Sequence, residues 1–449
     1  MPEHFTGIKC SDPLIDPRSG PRIGPLDRTP RMSAEPYLVR MHVTVTSEIG
    51  PLRSVLVHTP GPELLAVTPS NREDYLYDDI IDVEIAQREH RRFVALLERF
   101  AEVHHVRDLL TETMAIPEAR ELLLAEVMNV TPSQPLAEDI ARMNAAELVT
   151  MLVEGREEAP GPLARHLNES SYSLPPLPNL FFTRDSAMIV GRHVLVGSMR
   201  YGVRWVEELI MKVLFTYNPK LGNAGILYDG ASERRFNHTL EGGDVHPVSP
   251  DTVMIGFSER SSPAAIDHLA SLFFAGTDIC NIIVVVMPGE NTAIHLDMVF
   301  TQIDRGQCVV YPPYFVGTER LPVLLWRKGS DVVSEQPNVF AALKACALPM
   351  TPVFCGGERR ILQEREQWAS GCNFVALRPG VIASYSRNEA TLRSLETAGF
   401  SVVPVMDFLG GDVKIADTDR AVLTFEGSEL VRGGGGPRCM TMPLLRDGL

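Results

Sequence analysis

Near its C-terminus the chain reads Gly433-Gly434-Gly435-Gly436-Pro437-Arg438-Cys439-Met440. A glycine run lets backbone approach a ligand closely, and an adjacent guanidinium favours the thiolate form of a cysteine. Four other polar segments abut apolar stretches: Asn179-Leu180-Phe181-Phe182-Thr183-Arg184-Asp185, Glu241-Gly242-Gly243-Asp244-Val245, Ser258-Glu259-Arg260 and His295-Leu296-Asp297. Each alone has an ordinary explanation as a helix cap, a turn or a structural ion pair. Together, a cysteine, a histidine and several carboxylates without metal-ligand spacing fit nucleophilic attack on a cationic carbon centre.

Composition narrows the setting for that chemistry. The 449 residues carry 42 Lys+Arg against 57 Asp+Glu, a formal net charge of -15. Such a surface repels a phosphate backbone, and no basic cluster interleaved with aromatics offsets it, so nucleic acid is not an expected partner. The same charge draws in a cationic small molecule. At 45% hydrophobic and 22% charged residues the chain is globular, and no stretch approaches the roughly 18 apolar residues of a membrane span. Seven cysteines, odd in number and without a C-x-x-C pair, disfavour both a disulfide framework and a structural metal site. The expected compartment is the cytoplasm. Residues 1–40 combine Pro, Gly and charge without periodicity or a signal-peptide core, which predicts a disordered extension ahead of a catalytic domain at 41–449.

The elements that must position these residues follow a cadence. A strand at Leu52 to His58 leads to a helical pattern over Asp79 to Phe100. From about 101 to 168 strand signals vanish and short, proline-broken helical pieces replace them, predicting an inserted all-helical subdomain. Thereafter hairpin and helix recur: Ser186 to Gly197 then an apolar face from Val203 to Leu214; Thr252 to Phe257 then Ala264 to Phe274; Val309 to Tyr314; and Phe374 to Tyr385 then Glu389 to Ala398. Repetition at about 50 to 90 residues predicts several α/β modules around an axis. A doubly wound sheet is the alternative, but no G-x-G-x-x-G follows a first strand.

The segments quoted above, with His295-Leu296-Asp297-Met298-Val299-Phe300-Thr301, Ser386-Arg387-Asn388-Glu389-Ala390-Thr391 and Thr68-Pro69-Ser70-Asn71 before Tyr77-Asp78-Asp79-Ile80, resemble the arginine deiminases of the guanidine-modifying superfamily. The resemblance runs in order from about residue 45 to the end. It implies a five-bladed, pseudo-symmetric α/β propeller with an inserted helical subdomain and an axial active site. It further implies hydrolysis of L-arginine to L-citrulline and ammonia through a covalent thiouronium, with neither cofactor nor metal. In that family Cys439 corresponds to the nucleophile and His295 to the general acid/base, oriented by Glu241, while Asp185 and Asp297 correspond to the carboxylates that hold the guanidinium. Asn179, Arg204 and Arg260 match positions that bind the α-carboxylate, and Phe182 and Gly433 match positions along the substrate. Relatives form homodimers or tetramers, so a homo-oligomer is expected. The sequence departs at Gly434, where the family carries an arginine. Amidinotransfer from arginine to an amine, or deimination of a modified arginine, uses the same residues and is the alternative chemistry.

Overall fold

Short apolar runs broken by one tight turn form hairpins, and the amphipathic segment after each covers its apolar face as a helix. The computed structural model describes residues 42–130, 134–167, 172–222, 224–232, 238–289 and 291–449. The extension expected over 1–40 lies outside the described residues.

Among them, five sheets repeat one pattern: an antiparallel hairpin, a helix, then a strand parallel to the hairpin's second strand. Ala187–Val190 and His193–Val196 form one hairpin, followed by the helix Trp205–Tyr217 and the parallel strand Ile226–Asp229. Val245–Ser249 and Thr252–Phe257 precede the helix Pro263–Gly276 and Asn281–Val286. Phe300–Asp304 and Gln307–Val310 precede Val339–Ala345 and Thr351–Phe354. Val375–Arg378 and Val381–Tyr385 precede Glu389–Thr397, with Ala421–Phe425 as the parallel strand. The remaining sheet joins the two ends of the described chain. Met442–Arg446 pairs antiparallel with Leu52–Val57, which then pairs parallel with Glu102–His105 across the helix Val83–Leu97. Periodicity revealed the hairpins and helices; the closing parallel strands are short and were mostly not distinguished from loops.

The sequence placed the start of an all-helical insertion at 101. Instead, Glu102–His105 is an edge strand of the sheet just described, because the backbone of Leu52–Val57 offers a free pairing edge. Five helices follow between Val106 and Leu167, along with a two-strand ribbon, Arg156–Glu157 with Tyr172–Leu174. Their apolar faces do not form a separate core. Leu109, Leu123, Leu136, Leu148 and Leu152 pack in one cluster with Leu209, Ile210 and Leu214 of Trp205–Tyr217. No helix among the described residues is long and apolar enough to cross a membrane.

Candidate active site

In the repeated pattern, short turns precede the hairpins, and the candidate residues sit on those turns. Thr183–Ser186 carries Asp185, Gly242–Asp244 follows Glu241, and Leu296–Met298 carries Asp297 after His295. Cys439 lies just ahead of Met442–Arg446. Turns of this kind place side chains at strand ends while rigid sheets hold the backbone. The approach is tight: a Cβ at Gly243 would lie 2.5 Å from His295 Cγ, so glycine is what lets the two turns meet.

Cys439 is 4% exposed. Its Sγ lies 3.4 Å from Asp297 Oδ2 and 3.1 Å from Asn373 Nδ2. Asp297 Oδ2 also accepts from Arg438 Nη1 at 2.9 Å, and Arg438 donates onward to Glu48 at 3.0 and 3.2 Å. Burial would raise the Glu48 carboxyl pKa, but Arg438 and Arg184 outweigh it and hold Glu48 well below the usual carboxylate range. The expectation that Arg438 favours the thiolate meets a different local balance. Burial, then the charges of Asp297 and Asp185, push the Cys439 thiol well above its ordinary value, and Arg438, spent on Asp297 and Glu48, offsets little.

His295 Nε2 donates to Glu241 Oε2 at 2.9 Å, and its Nδ1 lies 3.8 Å from Asp185 Oδ1. Burial opposes a charge on the imidazole, yet Asp185 and the Glu241 hydrogen bond prevail and hold its pKa up to about 9. Glu241, buried and so pushed upward, is brought down to about 2 by Arg260, His295 and Arg204. Asp244 ties the turns together: Oδ1 accepts from the Leu296 N–H at 2.9 Å and Oδ2 from the Ser258 hydroxyl at 2.6 Å.

Asp185, His295 and Cys439 line one inner cavity of about 30 Å³ together with Asn179, Phe182, Arg204, Arg260, Gly433 and Gly434. Asp297 and Glu241 stand behind it, each holding a lining residue. Arg204 is ion-paired to Asp185 at 2.8 Å and to Glu207 at 2.8 Å. Arg260 pairs with Glu259 at 2.7 Å and Glu241 at 3.3 Å. Asn179 Nδ2 donates to the Tyr75 carbonyl at 2.8 Å. Outside lies a vestibule of about 490 Å³, reached past Gly433 and Gly434 and lined also by Arg72, Asp78, Tyr201 and Trp368. Asp185, Glu241 and His295 bring ligand atoms within 4.8 Å of one another. Arg204, Arg260 and the imidazolium proton already engage those ligand atoms, a poor setting for a bound metal ion.

Sequence reasoning passed over Glu48, Glu207 and Asn373. Glu48 and Asn373 touch the reacting set through residues close to it in space but hundreds or tens of positions away in sequence, a relation no local pattern signals. Arg184 sits inside a quoted segment, and its guanidinium reaches Glu48 at 3.5 Å rather than the cavity.

Comparison with known proteins gives a consistent result. Residues 73–446 match the arginine deiminase family. The chain is 32% identical over 427 residues to an arginine deiminase of Listeria welshimeri, covering 91% of this chain and 99% of that protein. It is 33% identical over 420 residues to one from Rhodococcus jostii, covering 90% and 97%. In fold it is similar to an amidinotransferase of the saxitoxin biosynthetic pathway from Microseira wollei, with TM-score 0.51, 15% identity, and 91% and 98% of the two chains covered.

Proposed function

The chain belongs to the arginine deiminase family and hydrolyses the guanidinium of L-arginine to L-citrulline and ammonia, and we propose that Cys439, His295, Glu241, Asp185 and Asp297 carry that reaction. One observation carries the assignment. Asp185 Oδ1 and Asp297 Oδ1 are buried carboxylate oxygens with no hydrogen-bond partner among the described residues. Buried acceptors are nearly always satisfied, so two of them flanking a cysteine and an imidazolium suit a planar N–H fork.

The chemistry follows from the charges. With the thiol held protonated by two aspartates, a guanidinium between them removes the cause, and Cys439 loses its proton to water. The thiolate attacks the guanidinium carbon, forming the C–S bond. His295, charged because of Asp185 and Glu241, gives its proton to the leaving nitrogen as the C–N bond breaks and ammonia departs. The neutral imidazole then takes a proton from water, whose oxygen attacks the thiouronium carbon. Collapse of that adduct breaks the C–S bond, its hydroxyl proton passes to the departing sulfur to restore the thiol, and citrulline is released. Arg204, Arg260 and Asn179 are read as the holders of the α-carboxylate, with Phe182 and Gly433 along the chain of the substrate. The inner cavity holds about two water molecules, so arginine enters by displacing part of its wall, and Gly434 is the one glycine of the 433–436 segment without a close neighbour.

The five sheets of identical pattern support reading the fold as five blades around an axis, with the turns that bear the site at its centre. The test of function is purified protein with arginine as sole substrate. Equal release of citrulline and ammonia is expected. Ornithine formed only when an acceptor amine is added would replace hydrolysis by amidino transfer.

A further inference from the structure

Four of the five sheets contribute a reacting group from the turn before their hairpin: Asp185, Glu241, the His295 and Asp297 pair, and Cys439. The fifth hairpin, Val375–Arg378 with Val381–Tyr385, is preceded by Asn373. It follows the helix Arg360–Trp368 through a tight, buried turn in which Ser370 adopts a left-handed φ of 58°. The Asn373 N–H donates to the Ser370 carbonyl at 3.0 Å. A non-glycine residue held in that conformation costs about 1 to 3 kcal/mol and persists where the surroundings over-determine it.

Asn373 is 0% exposed. Its Oδ1 accepts from the backbone N–H of Arg438 at 2.9 Å and of Cys439 at 3.2 Å. Its Nδ2 lies 3.1 Å from Cys439 Sγ and 3.3 Å from the Asp297 carbonyl oxygen. The orientation of a side-chain amide is fixed by its network. Two backbone donors face one atom, so that atom is the oxygen, and the amide's N–H groups must point at the sulfur and the carbonyl. A Cβ at Gly436 would lie 2.8 Å from Asn373 Cβ, so glycine there lets the nucleophile's segment lie flat against the amide.

We propose that Asn373 is a catalytic residue: its Nδ2–H donates to the Cys439 sulfur and stabilises the thiolate, while its Oδ1 fixes the backbone that presents that sulfur. Two aspartates near Sγ oppose ionisation; the Gly436 backbone opposes them, and Asn373 is the side-chain donor that does so without adding a charge. No bond to Asn373 forms or breaks. Its hydrogen bond strengthens as Sγ becomes negative and weakens once the sulfur is bonded to carbon, so its effect falls on attack and on release of the sulfur rather than on substrate affinity. Asn373 is absent from the cavity lining, in keeping with that division.

The inference rests on Cys439 being the nucleophile, so Cys439→Ser is assayed alongside. Activity surviving that change would sink the nucleophile assignment; its loss, together with parent-like Asn373 variants, would sink this proposal alone. Asn373→Asp keeps the acceptor for both backbone N–H groups and removes the donor to sulfur. Asn373→Ser keeps a smaller acceptor and cannot reach the sulfur. Each should lower kcat by about 10- to 100-fold, the size of a charge-assisted hydrogen bond, with KM for arginine within threefold. Inactivation by 2-chloroacetamidine, a small amidinium electrophile, should slow, and the midpoint of its pH dependence should rise. A folded variant with kcat within threefold of the parent, or with an unmoved pH midpoint, would overturn the proposal. In the unaltered protein labelled with 15N-asparagine, the Asn373 side-chain amide should shift when Cys439 is alkylated. An indifferent amide resonance would overturn it without any variant.

Discussion

The two halves of the site use the same components to opposite ends. On the nucleophile side, Cys439 faces Asp297, which is backed by Arg438 and Glu48. On the proton-transfer side, His295 faces Asp185 and Glu241, which are backed by Arg204 and Arg260. Both halves are buried, and in both the carboxylates favour protonation of the group they face. For an imidazole that means a cation, with pKa held up to about 9; for a thiol it means an inert neutral group. In the proposed mechanism, one electrostatic environment therefore arms the acid and disarms the nucleophile until a second cation arrives. That mechanism couples attack to substrate binding, because a ligand of the right charge between the aspartates releases the thiolate.

The largest break in this comparison comes from the sulfur itself. Cys439→Ser should lower kcat by about 10⁴-fold or more, since an alcohol is a far poorer nucleophile here, while calorimetry still detects arginine binding. Next, Asp297→Asn should move two readouts in opposite directions. Turnover of arginine should fall by about 10²- to 10³-fold as the guanidinium loses a holder. Alkylation of Cys439 by neutral iodoacetamide at fixed pH should become faster, because one charge that holds the thiol proton is gone. Parallel falls in both rates would contradict the account of the nucleophile side.

Glu241→Gln acts on the other half. His295 has a folded pKa above its ordinary 6.5, so the stability its charge contributes is complete below that ordinary value and is lost as pH rises through about 9. Removing the Glu241 charge lowers the folded pKa. The alkaline limb of the kcat profile should therefore move to lower pH by about one unit, equivalent to about 1.4 kcal/mol, with a smaller loss at neutral pH. An alkaline limb that stays in place would detach it from His295. The smallest effect concerns the mouth. Gly434 has φ 84°, and the nearest atom to a Cβ built there is Asp78 Oδ2 at 3.7 Å. Gly434→Arg should lower KM for arginine a few-fold by supplying the cation that the family carries there, set against about 1 kcal/mol of backbone strain. A higher KM would mean that the loop is built for another ligand.

The sequence made the reacting atoms more legible than their supports. Cys439, His295, Glu241, Asp185 and Asp297 stand in short polar segments beside apolar strands, which local composition marks, while their proposed roles come from the resemblance to the arginine deiminases. The hairpin and helix cadence was readable for the same reason, since period and turn residues are local properties. Glu48, Arg184, Arg438 and Asn373 owe their roles to contacts between distant segments, such as Asn373 with Cys439 or Glu48 with Arg438. Arg438 does lower the thiol's pKa, as its adjacency suggests, but burial, Asp297 and Asp185 outweigh it. Adjacency in sequence does not reveal that the Arg438 guanidinium is shared with Asp297 and Glu48, which limits that offset. The edge strand Glu102–His105 escaped because it has a single buried residue and so no apolar alternation to announce it.

The central claim is a covalent bond between Cys439 and the amidino carbon of arginine, and trapping that species tests it most directly. Protein mixed with arginine, quenched in acid within the first turnover and digested, is expected to show the peptide bearing Cys439 heavier by the arginine-derived group after ammonia loss. Full turnover with that peptide unmodified at every quench time, or with the adduct on another residue, would contradict it.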